Sequence, residues 1–185
     1  MKRQIRRCVF ETNSSSTHAI CITKKDIDAS SLPKHITFTH GEFGWEFDVH
    51  KDTWTKASYL YQAICSLYYG DDEKKKEKLS TLETLLKKHG VECEFEPDKD
   101  KKYGDGYIDH GYGYDIAEFV DAVLTDGIKL AKYLFGDSFI VTGNDNSREY
   151  SDYMYAHTKE VCDCYAKDGG LKPEFEEYEV YEKGN

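Results

Sequence analysis

What constrains this chain most is the order of its hydrophobic periods. Period-two runs and period-3.6 runs follow one another without a regular strand–helix–strand beat. Residues 3–11 (RQIRRCVFE) and 18–23 (HAICIT) are β-leaning, and the polar run 12–17 between them reads as a turn. Residues 34–39 (KHITFT) alternate as a third strand, closed by Gly41 and Gly44. A helix is expected over 52–69, with Trp54, Ala57, Tyr61, Ile64 and Tyr68 at helical spacing and Gly70 as its stop. A second helix is expected over 71–89: its acidic start and its Lys87-Lys88-His89 end complement the helix dipole, and Gly90 terminates it. Leu79, Leu82, Leu85 and Leu86 give that helix one apolar face, and the Lys74–Lys78 run is expected to be a solvated one.

Further along, 91–96 (VECEFE) alternates as a strand, and 97–113 is a long loop of Asp, Lys, Gly and Tyr. Residues 116–135 are helical with a break near Gly127, and 139–141 form a short buried strand closed by 143–146. Two terminal strands, 161–165 and 175–181, flank the Gly169-Gly170 turn, and no internal repeat is visible. Several strands are neighbours in the chain. The order therefore predicts an α+β fold, a mostly antiparallel sheet with several packed helices, in a single domain over 1–185 that contains the 97–113 loop.

Composition says what the core must be made of. Leu, Ile, Val and Phe number only 38 in 185 residues, close to the level at which chains fail to fold, but there are 26 aromatic residues, 15 of them Tyr. A folded, aromatic-rich core is expected. No apolar run approaches the ~18 residues of a membrane span, and the basic start MKRQIRRCVF develops no apolar stretch of a signal peptide. An intracellular setting follows, in which six cysteines serve metal binding or packing rather than disulfides. A net charge of −10 argues against direct nucleic-acid binding by phosphate neutralisation. It suits a partner that itself holds nucleic acid on a basic surface.

No phosphate-binding loop, dinucleotide fingerprint, HExxH or GxSxG motif is present. The sharpest chemical feature is Cys162-Asp163-Cys164, because residues i and i+2 of a strand share a face. If the N-terminal hairpin turns symmetrically about Ser14-Ser15, Cys8 lies opposite Cys21. Cys8, Cys21, Cys162 and Cys164 would then form a tetrahedral, structural zinc site, which would contribute folding free energy directly. The competing reading is that buried cysteine is a small apolar residue, the one taken here for Cys65 and Cys93. An enzyme is the alternative: Glu11, His18, Asp109 and His110 could serve a metal- or His/carboxylate-dependent hydrolase, although such residues in loops usually bond their own backbone.

The stretch 103–115 (YGDGYIDHGYGYD) has the composition of a paratope, with Tyr for contact area and Gly for adaptable backbone. Together with the Glu42–Phe47 segment it suggests a protein-binding surface built on Glu42, Trp45, Tyr103, Asp105, Tyr107, Asp109, Tyr112 and Tyr114, aimed at Lys or Arg of a partner. The plainer reading is that these tyrosines pack on the sheet and the glycines only turn the chain.

The strings Glu11-Thr12-Asn13-Ser14-Ser15-Ser16-Thr17-His18, Gly41-Glu42-Phe43-Gly44-Trp45-Glu46, Tyr107-Ile108-Asp109-His110 and Gly143-Asn144-Asp145-Asn146 resemble a family of small proteins from phages and prophages of low-GC Gram-positive bacteria. The resemblance spans roughly 1–150. Cys8, Cys162 and Cys164 are not part of its pattern, so a thiolate site would be peculiar to this chain. Small acidic proteins of such prophages include the type II-A anti-CRISPR proteins, which the chain is similar to in size and charge. The resemblance implies a non-enzymatic inhibitor in the cytoplasm of a host bacterium, binding a type II RNA-guided CRISPR nuclease, guide-loaded or free. Such a nuclease has a positively charged channel that an acidic ligand could block.

Overall fold

A computed structural model describes residues 16–98, 106–109, 114–144, 148–158 and 177–183. Eight strands and five helices alternate along these segments: β1 (Ser16–Thr23), β2 (His35–Phe38), β3 (Glu42–Phe43), β4 (Asp48–His50), α1 (Thr53–Leu67), α2 (Asp72–Lys88), β5 (Glu92–Phe95), β6 (Tyr107–Ile108), α3 (Tyr114–Thr125), α4 (Gly127–Phe135), β7 (Phe139–Asn144), α5 (Arg148–Thr158) and β8 (Tyr178–Lys183). The fold is mixed α+β, as expected. Its main sheet has the order β4-β7-β1-β8, and every pairing in it is antiparallel.

The pairings depart from the order along the chain. Among the described residues no strand pairs with its immediate sequence neighbour; β1 takes β7 on one edge and β8 on the other. Across His18–Cys21 both edges are occupied, with Cys21 opposite Phe139 and also opposite Val180. The symmetric N-terminal hairpin that would set Cys8 against Cys21 therefore has no vacant edge at Cys21. Two short pairs, β2–β5 and β3–β6, are parallel, because the helical pair α1–α2 carries the chain back to the same end before β5 begins.

Helix α1 is the central element. Asp52 accepts from the Thr55 amide at 2.8 Å and caps it, and all residues from Lys56 to Ile64 are buried. The core around it is aromatic. Rings run from Phe43 to Tyr59 (4.8 Å between centroids), on to Phe119 (6.3 Å) and Tyr133 (5.0 Å), and Phe38, Ile20, Leu60, Ile64, Leu82 and Leu134 fill the space between. The alternation of β1 divides two cores. Ile20 and Ile22 face this cluster, while Ala19 and Cys21 face a smaller one with Phe139, Val141, Tyr150 and Met154 under α5.

Helix α2 lies at the surface, with only Leu82 and Leu86 buried. Its lysine run is not a purely solvated face: Lys75 reaches Asp98 at 2.6 Å, and Lys78 reaches Asp121 at 2.8 Å. Gly90, at φ +75°, makes the left-handed turn from α2 into β5. Among the described residues no helix is long and apolar enough to cross a membrane.

Candidate functional site

Residues 35–43 run beside 92–96 and then beside 106–109, so β2 and β3 share one neighbouring line that is interrupted by the segment starting at Pro97. Gly106 closes the interruption. An added Cβ there would sit 2.5 Å from the Gly41 carbonyl oxygen and 2.6 Å from Gln62 Oε1, so only glycine allows this approach. The short β3–β6 pair sets Glu42 opposite Tyr107, and the Asp109 amide donates to the Phe43 carbonyl at 2.8 Å. Three of the residues expected at a partner surface, Glu42, Tyr107 and Asp109, are thus brought onto the β3–β6 pair and the turn that follows it, and Trp45 lies two residues beyond β3.

Large aromatic rings remain open to solvent just after β3, on β6 and in the first turn of α1. Trp45 is 52% exposed, Tyr107 48% and Trp54, in the first turn of α1, 58%. Phe47 is also exposed and packs edge-on against Tyr153. Between β3, β4 and the start of α1 lies an open groove of about 460 Å³, lined by Glu42, Phe43, Asp48, His50, Trp54 and Ser58. Carboxylates at its rim and an indole at its side make it electronegative and apolar at once, a combination suited to a Lys or Arg side chain. The Thr142 hydroxyl donates to the Glu46 carbonyl at 2.9 Å and ties the β3–β4 connection to the main sheet. Tyr114 opens α3, and its side chain, like Tyr103, Asp105 and Tyr112, lies outside the described residues.

A second group gathers where the interruption begins. His40 lies between β2 and β3, Cys65 near the end of α1 and Asp98 just beyond β5, and one ligand atom from each lies within 4.8 Å of the others. These three residues could hold a metal ion. His40 Nε2 is 3.3 Å from Asp98 Oδ1, while His40 Nδ1 is 3.2 Å from Gln62 Oε1. Lys75 Nζ donates to Asp98 Oδ2 at 2.6 Å. Partial burial draws the Lys75 pKa down, but the hydrogen bond and charge of Asp98 outweigh it, and the net shift is upward. Burial pushes the Cys65 thiol up to about 11, the positive charge of Lys75 opposing it. Tyr61, whose phenol is raised chiefly by burial, donates to the Glu96 carbonyl, and a Glu96 carboxylate oxygen accepts from the His40 amide at 3.1 Å.

The zinc ligands expected from the sequence fare differently. Cys8, Cys162 and Cys164 lie outside the described residues, and Cys21 is fully buried among the apolar side chains of the smaller core. Cys65, expected only to pack, is the cysteine found beside an imidazole and a carboxylate. No local signal pointed to it, since His40, Cys65 and Asp98 are far apart in the chain and meet only through the β2–α1–β5 arrangement.

Of the residues named for an enzyme, Glu11 and His110 are outside the described residues. His18 is inside the core, with Nε2 2.8 Å from the Gly44 carbonyl and Nδ1 3.0 Å from the Tyr59 hydroxyl. A carbonyl only accepts, so Nε2 carries the proton, and in the neutral ring Nδ1 accepts from Tyr59. The ring thus links β1, the β3–β4 connection and α1. The Asp109 carbonyl accepts from the Ser16 hydroxyl at 3.0 Å, which ties the turn after β6 to the start of β1.

No protein-family model matches this chain, and neither a curated protein nor a solved structure matches it.

Proposed function

We propose that this chain is a non-enzymatic inhibitor that sets an acidic, aromatic face against a basic protein surface and carries one structural zinc ion. The partner in this reading is a type II RNA-guided CRISPR nuclease, as the phage-family resemblance implies, and the effect is to block the loading or cleavage of target DNA. The observation that carries the reading is that exposed Trp54 shares one open groove with Glu42 and Asp48, while the β3–β6 pair sets exposed Tyr107 opposite Glu42. Exposed aromatic rings on a strongly acidic chain are costly to leave in water, and Trp and Tyr beside carboxylates are the usual anchors for a partner rich in Lys and Arg. A channel evolved to hold a nucleic-acid backbone is such a partner. Zinc is the metal of this reading because imidazole, thiolate and carboxylate donors are its common ligands.

The test is a target-DNA cleavage assay with a guide-loaded type II nuclease, in which the protein is titrated before and after DNA is added. Inhibition near one equivalent, weakened when DNA is bound first, is the expected result. Trp54→Ala and Glu42→Lys alter exposed groove residues, so the fold should survive, and each should weaken inhibition by about tenfold or more. Unchanged potency in both variants would overturn the assigned face. Absence of inhibition across several type II nucleases would overturn the partner.

A further inference from the structure

We propose that His40, Cys65 and Asp98 are the ligands of a zinc site that locks α1 to the strand line at the point where the chain leaves it after β5. The inference rests on the zinc part of the function proposed above and is independent of the partner.

The donors converge from three separate elements. A tetrahedral zinc ion with bonds of about 2.0–2.3 Å sets its ligand atoms roughly 3.3–3.8 Å apart. The three donor atoms, all within 4.8 Å of one another, need draw together by only about 1 Å, within reach of small side-chain rotations. The imidazole is already oriented for the task. The Gln62 amide nitrogen points to the Ser66 hydroxyl, which leaves its oxygen to accept from His40 Nδ1. With Nδ1 engaged by Gln62, Nε2 is the ring nitrogen that faces Asp98 Oδ1, 3.3 Å away. A metal ion between them would take Nε2 and Oδ1 as two of its ligands. Gln62 is then the outer-shell acceptor that metal-bound histidines commonly have.

Lys75 fills the same office for the carboxylate. Its ammonium holds Oδ2 of Asp98 at 2.6 Å, and Oδ1 lies 3.3 Å from His40 Nε2. Binding converts the Cys65 thiol to a thiolate, its proton passing to solvent, and the thiolate and Asp98 then balance the charge of Zn²⁺. A mixed nitrogen, sulfur and oxygen set selects zinc over magnesium or calcium, which take oxygen ligands. The described residues supply three of the four positions of a tetrahedral zinc ion.

The experiment uses the full chain, stripped with chelator and titrated with Zn²⁺ alone by calorimetry, then with Co²⁺ to record thiolate-to-metal absorption in the near ultraviolet. One equivalent of zinc and a cobalt–thiolate band are expected. Cys65→Ser, a near-isosteric change, should abolish the band and weaken zinc binding at least 100-fold, as should His40→Ala and Asp98→Asn. Cys93→Ser should leave both readouts unchanged. One zinc bound with wild-type affinity by all three ligand variants would overturn the site while leaving the zinc reading intact. Failure of the wild-type chain to bind zinc at all would overturn both. Should a ligand variant fail to fold, the band should persist in a chain carrying Cys8→Ser, Cys162→Ser and Cys164→Ser together, and its loss there, or its absence from the wild type, would remove Cys65 from the site.

Discussion

Lys56 is a charged residue buried in the first turn of α1, and its surroundings account for it. Its ammonium donates to the Gly136 and Ser138 carbonyls, both at 3.0 Å, where α4 ends and β7 begins. Its own carbonyl accepts from the Tyr133 hydroxyl at 2.7 Å. Burial draws its pKa from 10.5 down to about 8, Asp52 and Asp137 opposing the fall. The sign of the pH dependence follows. Between pH 8 and 10.5 the unfolded chain holds this proton more firmly than the folded one, so the Lys56 contribution to stability rises with pH across that window. Lys56→Met leaves two carbonyls unsatisfied and should cost about 1–3 kcal/mol at neutral pH. Denaturant titrations of wild type and variant at several pH values should show the gap between them widening from pH 8 to 10.5. Parallel pH profiles would refute that assignment.

At the scale of the element, the break between α3 and α4 shows how much one side chain decides. Asp126 accepts from the amides of Ile128 and Lys129, at 2.9 and 3.2 Å, and starts α4 afresh immediately after α3. Asp126→Ala removes that cap from an exposed site and should cost about 1 kcal/mol, lowering the melting temperature by about 2–4 °C. An unchanged calorimetric melt would show that packing of Leu130, Tyr133 and Leu134 sets the helix start by itself.

This break was legible in the sequence, as were α1, α2, β2 and β5, because each carries a cap, a stop or several turns of consistent period. Strands β3, β4 and β6 were not: two or three residues cannot display a period, and they exist because longer elements present them with a partner. Helix α5 was missed for a related reason. Tyr150 and Met154 are its buried positions among the described residues, too few to mark an apolar stripe.

The whole molecule is organised around a strand that begins the described chain and is completed by one that ends it. β8 pairs with β1 from His18↔Lys183 to Thr23↔Tyr178, and Lys129 on α4 binds Glu179 at 2.8 Å. A chain ending after residue 176 would expose that edge of β1 and the Phe119 ring that Tyr181 contacts. Such a variant should lose its cooperative thermal transition and its near-ultraviolet dichroism, because long-range pairing of this kind has no local substitute. A variant that still melted cooperatively would place the stability of the sheet in β1–β7 alone.

The chain's own residues determined the α+β class, the aromatic makeup of the core, the acidity of the molecule, and the caps and glycines that bound the long helices. Those properties depend on composition and on neighbours a few residues apart. Tertiary structure decided the rest. It placed β7 and β8 on the two edges of β1, turned His18 into the core, set Glu42 opposite Tyr107, and brought Cys65 to His40 and Asp98. Each of these depends on contacts between distant segments, whose register is set by burying one face of every strand and helix at once, a condition that no local stretch of sequence expresses.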